Sequence, residues 1–230
     1  MVTYQQRAGV LVATIVALPI ALSLAMTGCG GGAQALPPSF DDSLLKSAIT
    51  DPPDDYETPI EGAPPAGVYA YPPVDILRLS IGTDDEFVFL KIEVGGMIPD
   101  ESVVLEDGNR LQSIGYALDF TLSNGETGFV SFFLRLQGGA EQEAYYYSDE
   151  TGDPDEGVFH EDNLYYGKHG HGWIVDGGLG HDYVVIAFRI ADLMATKGLE
   201  VSMTGHAEAG TDKWKHYSFD QLSEQLSTTL

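Results

Sequence analysis

The sequence predicts an all-β fold, a two-sheet antiparallel sandwich of the jelly-roll or immunoglobulin-like kind with one or two short helices. Three observations predict it. Apolar and polar residues alternate at every second position through a series of short runs, the mark of strands with one buried face. Those runs are bounded by Gly, Asn, Asp and Pro clusters short enough to be tight turns. The stretch that carries them, residues 68–230, is long enough to enclose one proper core.

Taken in order, the chain opens with residues that stand outside that fold. Arg7 is the only charged side chain before Cys29, and an apolar run from Val10 to Met26 follows it. A short charged start and an apolar core have the layout of a secretory signal. The run ends in Leu24-Ala-Met-Thr-Gly28-Cys29, which resembles the lipobox read by bacterial lipoprotein signal peptidase, with small residues just before the cysteine that receives the lipid. The resemblance implies a signal peptide over residues 1–28, lipidation of Cys29, and a mature chain anchored to a membrane outside the cytoplasm, at the outer membrane or cell surface. An uncleaved anchor helix is the alternative; Pro19 near its middle and the Gly28-Cys-Gly-Gly-Gly32 exit argue against it.

Residues 29–67 are rich in Pro, Asp, Gly and Ala, as in Leu36-Pro-Pro38, Asp51-Pro-Pro-Asp-Asp55 and Gly62-Ala-Pro-Pro-Ala-Gly67. Such a composition buries little apolar surface and reads as a tether that lifts the domain off the bilayer. Within it, residues 42–49 are expected to form a helical turn or two.

The domain then begins with two alternating runs, residues 74–81 and 87–94, joined by the turn Gly82-Thr-Asp-Asp85. They read as a hairpin with Leu77, Leu79 and Ile81 packing beside Val88, Leu90, Ile92 and Val94, while Arg78, Lys91 and Glu93 point outward. The same alternation recurs over residues 116–122, 130–136, 144–147, 183–190 and 199–203. Two helices are expected. Residues 191–197 are closed by Gly198, a helix-ending residue in the usual place. Residues 218–221 have the look of a capping box ahead of 222–226.

The order of these strands resembles the β-sandwich group that includes family-9 carbohydrate-binding modules and the DOMON domains of sugar- and haem-binding secreted proteins. The pieces that carry the resemblance are Pro73-Val-Asp-Ile76, Gly96-Met-Ile-Pro99, Tyr116 to Asp119 with its Tyr-x-Leu-Asp pattern, and Ile186-Ala-Phe-Arg-Ile-Ala-Asp-Leu193. The resemblance covers roughly residues 70–207 and implies a sandwich with a binding role.

Charge and cysteine usage narrow the function classes. The 230-residue chain has a formal net charge of −24, so nucleic acid and anionic lipid headgroups, which need a basic surface, are poor partners. Cations, neutral sugars and basic proteins remain. Cys29 is the only cysteine, so intrachain disulfides, zinc–thiolate clusters and cysteine-ligated iron–sulfur sites are excluded.

Three constellations could carry chemistry. Residues 145–163 gather many carboxylates, with Asp149, Asp153 and Asp155 among them; oxygen-rich loops of this kind suit calcium, and a solvated acidic loop is the other reading. Four of the six histidines are His160, His169, His171 and His181, and imidazoles one residue apart, as at His169 and His171 with His181 near, can chelate a transition metal. Surface histidines are the plainer reading. Tyr145, Tyr146, Tyr147, Tyr165, Tyr166 and Trp173 form an aromatic set. Sugar rings stack on exposed aromatics while nearby carboxylates and amides bond their hydroxyls; the other reading is that these rings cap the ends of the sandwich.

No Gly-x-Ser-x-Gly elbow, phosphate-cradling loop with Lys, His-Glu-x-x-His or cysteine nucleophile is present. The sequence therefore leads to the expectation of a non-enzymatic, membrane-anchored lipoprotein with a glycan-binding sandwich. The alternatives are a metal-binding lipoprotein and a structural one that docks a basic protein.

Overall fold

Alternating side chains make the strands, and backbone pairing decides how they assemble. In the computed structural model, residues 36–55, 71–105, 108–149, 168–193, 195–212 and 217–230 are described, by backbone alone at 147–149 and 168–169. The strands are β1 (Leu45–Thr50), β2 (Ile76–Thr83), β3 (Phe87–Val94), β4 (Leu111–Leu122), β5 (Thr127–Arg135) and β6 (Glu141–Asp149). After them come β7 (Lys168–His171), β8 (Trp173–Gly177), β9 (Tyr183–Arg189), β10 (Glu200–Thr211), β11 (Ser218–Gln221) and β12 (Leu226–Thr229). They pair into a five-stranded antiparallel sheet in the order β1-β2-β3-β9-β8 and a seven-stranded one in the order β11-β10-β4-β5-β6-β7. The remaining strand, β12, pairs with residues 200–203 of β10, while β11 pairs with residues 206–209, so the two share one edge of the long strand end to end.

Apolar residues from both sheets fill the space between them, which is the all-β sandwich that the alternation predicts. Tyr116 and Phe132 stack there with ring centroids 5.6 Å apart, and the buried Tyr116 hydroxyl donates to the Pro73 carbonyl. A second, smaller apolar cluster lies on the opposite side of β3. Phe87, Phe89 and Ala187 are covered there by Phe40, Leu44, Trp173 and Val175, with Phe40 5.6 Å from Phe89.

Four expectations need correction. The β2–β3 ladder pairs Ile76 with Val94 but Arg78 with Glu93, so β2 carries an extra residue at Leu77. Such a bulge switches the parity of the strand; Ile76, Leu79 and Ile81 are buried and Leu77 is only half-buried. Residues 42–49 are a 3-10 turn, Asp42–Leu44, followed by β1, whose partner β2 supplies the pairing that a Pro- and Asp-flanked segment lacks alone. This strand lies inside the segment read as tether, and the compact unit begins at Pro37. The expected helix at 191–197 is only a 3-10 turn, Ile190–Leu193. The expected capped helix at 218–226 is β11 followed by β12: the free edge of β10 offers hydrogen bonds that outweigh the local capping signal.

The chain passes from one sheet to the other at Gly172, between β7 and β8. A Cβ there would sit 2.4 Å from a Phe188 ring carbon and 2.6 Å from the Ala187 carbonyl oxygen, so the crossing needs glycine.

Candidate functional site

Strand alternation sorts the expected aromatic and histidine residues onto three surfaces. Tyr146 points inward and is 6% exposed, its ring edge-on to Phe188 at 6.0 Å; it is a core residue, not part of a ligand face. Tyr145, its neighbour, points the other way. Its ring meets Phe129 edge-on at 5.8 Å, and it stands directly opposite the exposed His171 in the β6–β7 ladder. Tyr147 and His169 oppose each other two positions along the same ladder.

Register carries this row across six of the seven strands of the sheet. Gln221, His206, Ala117, Ser131, Tyr145 and His171 are successive cross-strand partners. At the far side His206 stacks on Phe219 at 5.4 Å. The row thus sets the rings of His206, Tyr145 and His171 on one face of the sheet, with Ser131 between them buried at 2% exposure.

Trp173 belongs to the other sheet. It packs edge-on against Phe87 at 5.5 Å, with the Arg189 guanidinium 5.7 Å from its ring, so it does not join Tyr145. His181 sits in the turn between β8 and β9, 5.5 Å from the Tyr183 ring, and its carbonyl accepts from the Ile98 amide. Among the described residues, neither His171 nor His181 belongs to a group of three metal-ligating side chains within reach of one ion. Cys29, Asp153, Asp155, Tyr165 and Tyr166 lie outside the described residues, and Asp149 and His169 are described by backbone alone.

A shallow groove on the five-stranded sheet is lined by Asp42, Lys46, Arg78, Lys91 and Glu93. Two of its cations are already paired, Lys91 with Asp42 at 3.1 Å and Arg78 with Glu93 at 3.5 Å. That leaves little charge for a ligand.

One cluster escaped the sequence reading altogether. Pairing of β1 with β2 places Asp51 just past the strand end, where its amide donates to the Leu77 carbonyl at 3.0 Å. Two prolines then turn the chain, and Asp54 adopts a left-handed φ of 60° before Asp55. The Asp54 amide donates to Asp75 Oδ2 at 3.1 Å. Alternation in β11 turns Asp220 inward, where its Oδ2 accepts from the Ile76 amide at 2.7 Å. Asp51 Oδ1 accepts from the Ser223 amide at 2.8 Å and from its hydroxyl. Ligand oxygens of Asp51, Asp55 and Asp220 all lie within 4.8 Å of one another.

Like charge and desolvation make this an unfavourable place for so many anions. Burial, reinforced by Asp55, Asp51 and Asp75, pushes the Asp220 carboxyl up to about 6 against the Ile76 amide, which lowers it. Asp75 is raised for the same first reason, with Asp54, Asp55 and Asp51 adding to it. Asp55 is raised by burial and by Asp51. The sequence held one signal, three aspartates around a proline pair at 51–55; the distant Asp220 left none.

No family model, no curated protein and no solved structure matches this chain.

Proposed function

We propose that this protein is a lipid-anchored, extracytoplasmic β-sandwich that acts as a binding module and not as a catalyst, holding a neutral glycan on the outward face of its seven-stranded sheet. The observation that carries the reading is the Tyr145–His171 cross-strand pair, with Phe129 edge-on to the tyrosine. A sugar needs an aromatic face to stack on and polar groups beside it for its hydroxyls; His171 and His206 stand in the same row. The net charge of −24 argues for a neutral ligand over an anionic one.

The test is a glycan array probed with the full chain in detergent. Wild type should retain a defined set of glycans, and Tyr145→Ala should weaken that retention about tenfold or more, about 1.4 kcal/mol. Retention of nothing, or retention unchanged in Tyr145→Ala, would sink the reading. The anchor is tested separately: Cys29→Ser should move the protein from the membrane fraction to the soluble one, and a variant that stays with the membrane would remove the lipid from the account.

A further inference from the structure

We propose that Asp51, Asp55 and Asp220, with the Asp75 carboxylate beside them, form a calcium site that clamps the segment carrying β1 to the body of the sandwich. It is independent of the glycan reading and uses different residues on a different part of the molecule.

The first support is geometry. Calcium takes oxygen ligands at about 2.3–2.6 Å, so any two of its ligands lie at most about 5 Å apart. The oxygens of Asp51, Asp55 and Asp220 meet that condition pairwise.

The second is what the carboxylates lack. Asp51, Asp75 and Asp220 are 6%, 2% and 0% exposed, and each has one oxygen engaged in a hydrogen bond. The other oxygen of each, Asp51 Oδ2, Asp75 Oδ1 and Asp220 Oδ1, is buried without a hydrogen-bond partner. Among the described residues, none of the four aspartates forms an ion pair with Lys, Arg or His. A buried carboxylate oxygen with neither donor nor cation is strongly disfavoured, and a cation held between Asp51 and Asp220 would satisfy two of the three.

Chemistry then selects the ion. The donors are hard oxygens with no imidazole or thiolate among them, which disfavours the softer transition metals. Magnesium keeps several of its waters and takes one or two carboxylates, whereas calcium accepts several in irregular geometry. Ser223, the Asp54 amide and the Ile76 amide hold the outer oxygens, the orienting role that second-shell partners play around a metal. Asp55, the exposed member, leaves a side where water can complete the shell.

The clamp follows from where the ligands come from. Asp51 and Asp55 follow β1 and Asp220 lies in β11, so one ion bridges two distant stretches of chain.

The experiment is calorimetric titration of the chelator-stripped full chain with Ca²⁺ and, separately, Mg²⁺ near neutral pH. A thermal melt accompanies each titration. Wild type should bind one Ca²⁺ per chain, at least about tenfold more tightly than Mg²⁺, and melt at a higher temperature with Ca²⁺ present. Asp55→Asn, at the exposed position, should keep the circular dichroism spectrum of wild type and lose Ca²⁺ affinity by at least about tenfold. Asp220→Asn should do the same where it folds. The proposal is overturned by no Ca²⁺ binding, by Mg²⁺ binding as tightly as Ca²⁺, or by Asp55→Asn binding Ca²⁺ as wild type does, which would put the ion elsewhere on the chain.

Discussion

Asp220 concentrates the electrostatic tension of the molecule in one side chain. It faces Asp51, Asp55 and Asp75, and its one opposing contact is the Ile76 amide. Its carboxyl is raised from 3.8 to about 6, so between those values the folded chain holds a proton that the unfolded chain has released. Stability from this group is therefore fully present below 3.8 and is lost as the pH rises through about 6. In chelator, the melting temperature of wild type should fall as pH rises across that window, and Asp220→Asn should flatten the slope. A melting temperature that climbs across the same window in wild type would show that the carboxyl is stabilised, not strained, by its surroundings. The residue was hidden from sequence reading for a physical reason. Ser218-Phe-Asp-Gln221 is locally indistinguishable from a helix cap, and only the edge of β10, far back in the chain, turns it into a strand with an inward aspartate.

Elements were legible where a strand's own alternation decides its face, and illegible where a neighbour does. The runs now seen as β2, β3, β4, β5, β6, β9 and β10 were all visible as period-two patterns, because each has one face in the core. The bulge in β2 was not visible, because a bulge is a property of the pair β2–β3 and not of either sequence. It can be tested by which residue matters. Ile76→Ala should cost about 2–5 kcal/mol in urea denaturation, as for a fully buried aliphatic side chain. Leu77→Ala should cost about 1 kcal/mol or less; the reverse ranking would restore the unbulged register. The aromatic set shows the same limit. Alternation correctly requires at least one outward ring among Tyr145, Tyr146 and Tyr147, but Trp173 is separated from them by the sheet crossing at Gly172, which no periodicity announces.

For the molecule as a whole, the two-sheet sandwich was readable from the sequence, while its starting point was not. The segment before β2 had the composition of a linker, yet it supplies an edge strand and lays Phe40 and Leu44 over the outer phenylalanines. Removing residues 37–50 should therefore bare the unpaired edge of β2 together with Phe87 and Phe89, and exposed edges of that kind recruit other chains. Size-exclusion chromatography should show oligomers or aggregate where the intact chain runs as a smaller species; an unchanged elution profile would mean that the segment is dispensable. The contact that seals this segment also sets an order of events. Ser223 donates to Asp51 across 172 residues of sequence, among the longest loops that the fold must close. Under the export proposed above, with the amino end leading, the first half of that contact would wait outside the membrane until the last strands have followed. On that route the carboxylate cluster would be completed only once nearly the whole polypeptide has emerged, and an ion captured there would mark the end of the proposed translocation, fastening a fold that its earlier stages leave open.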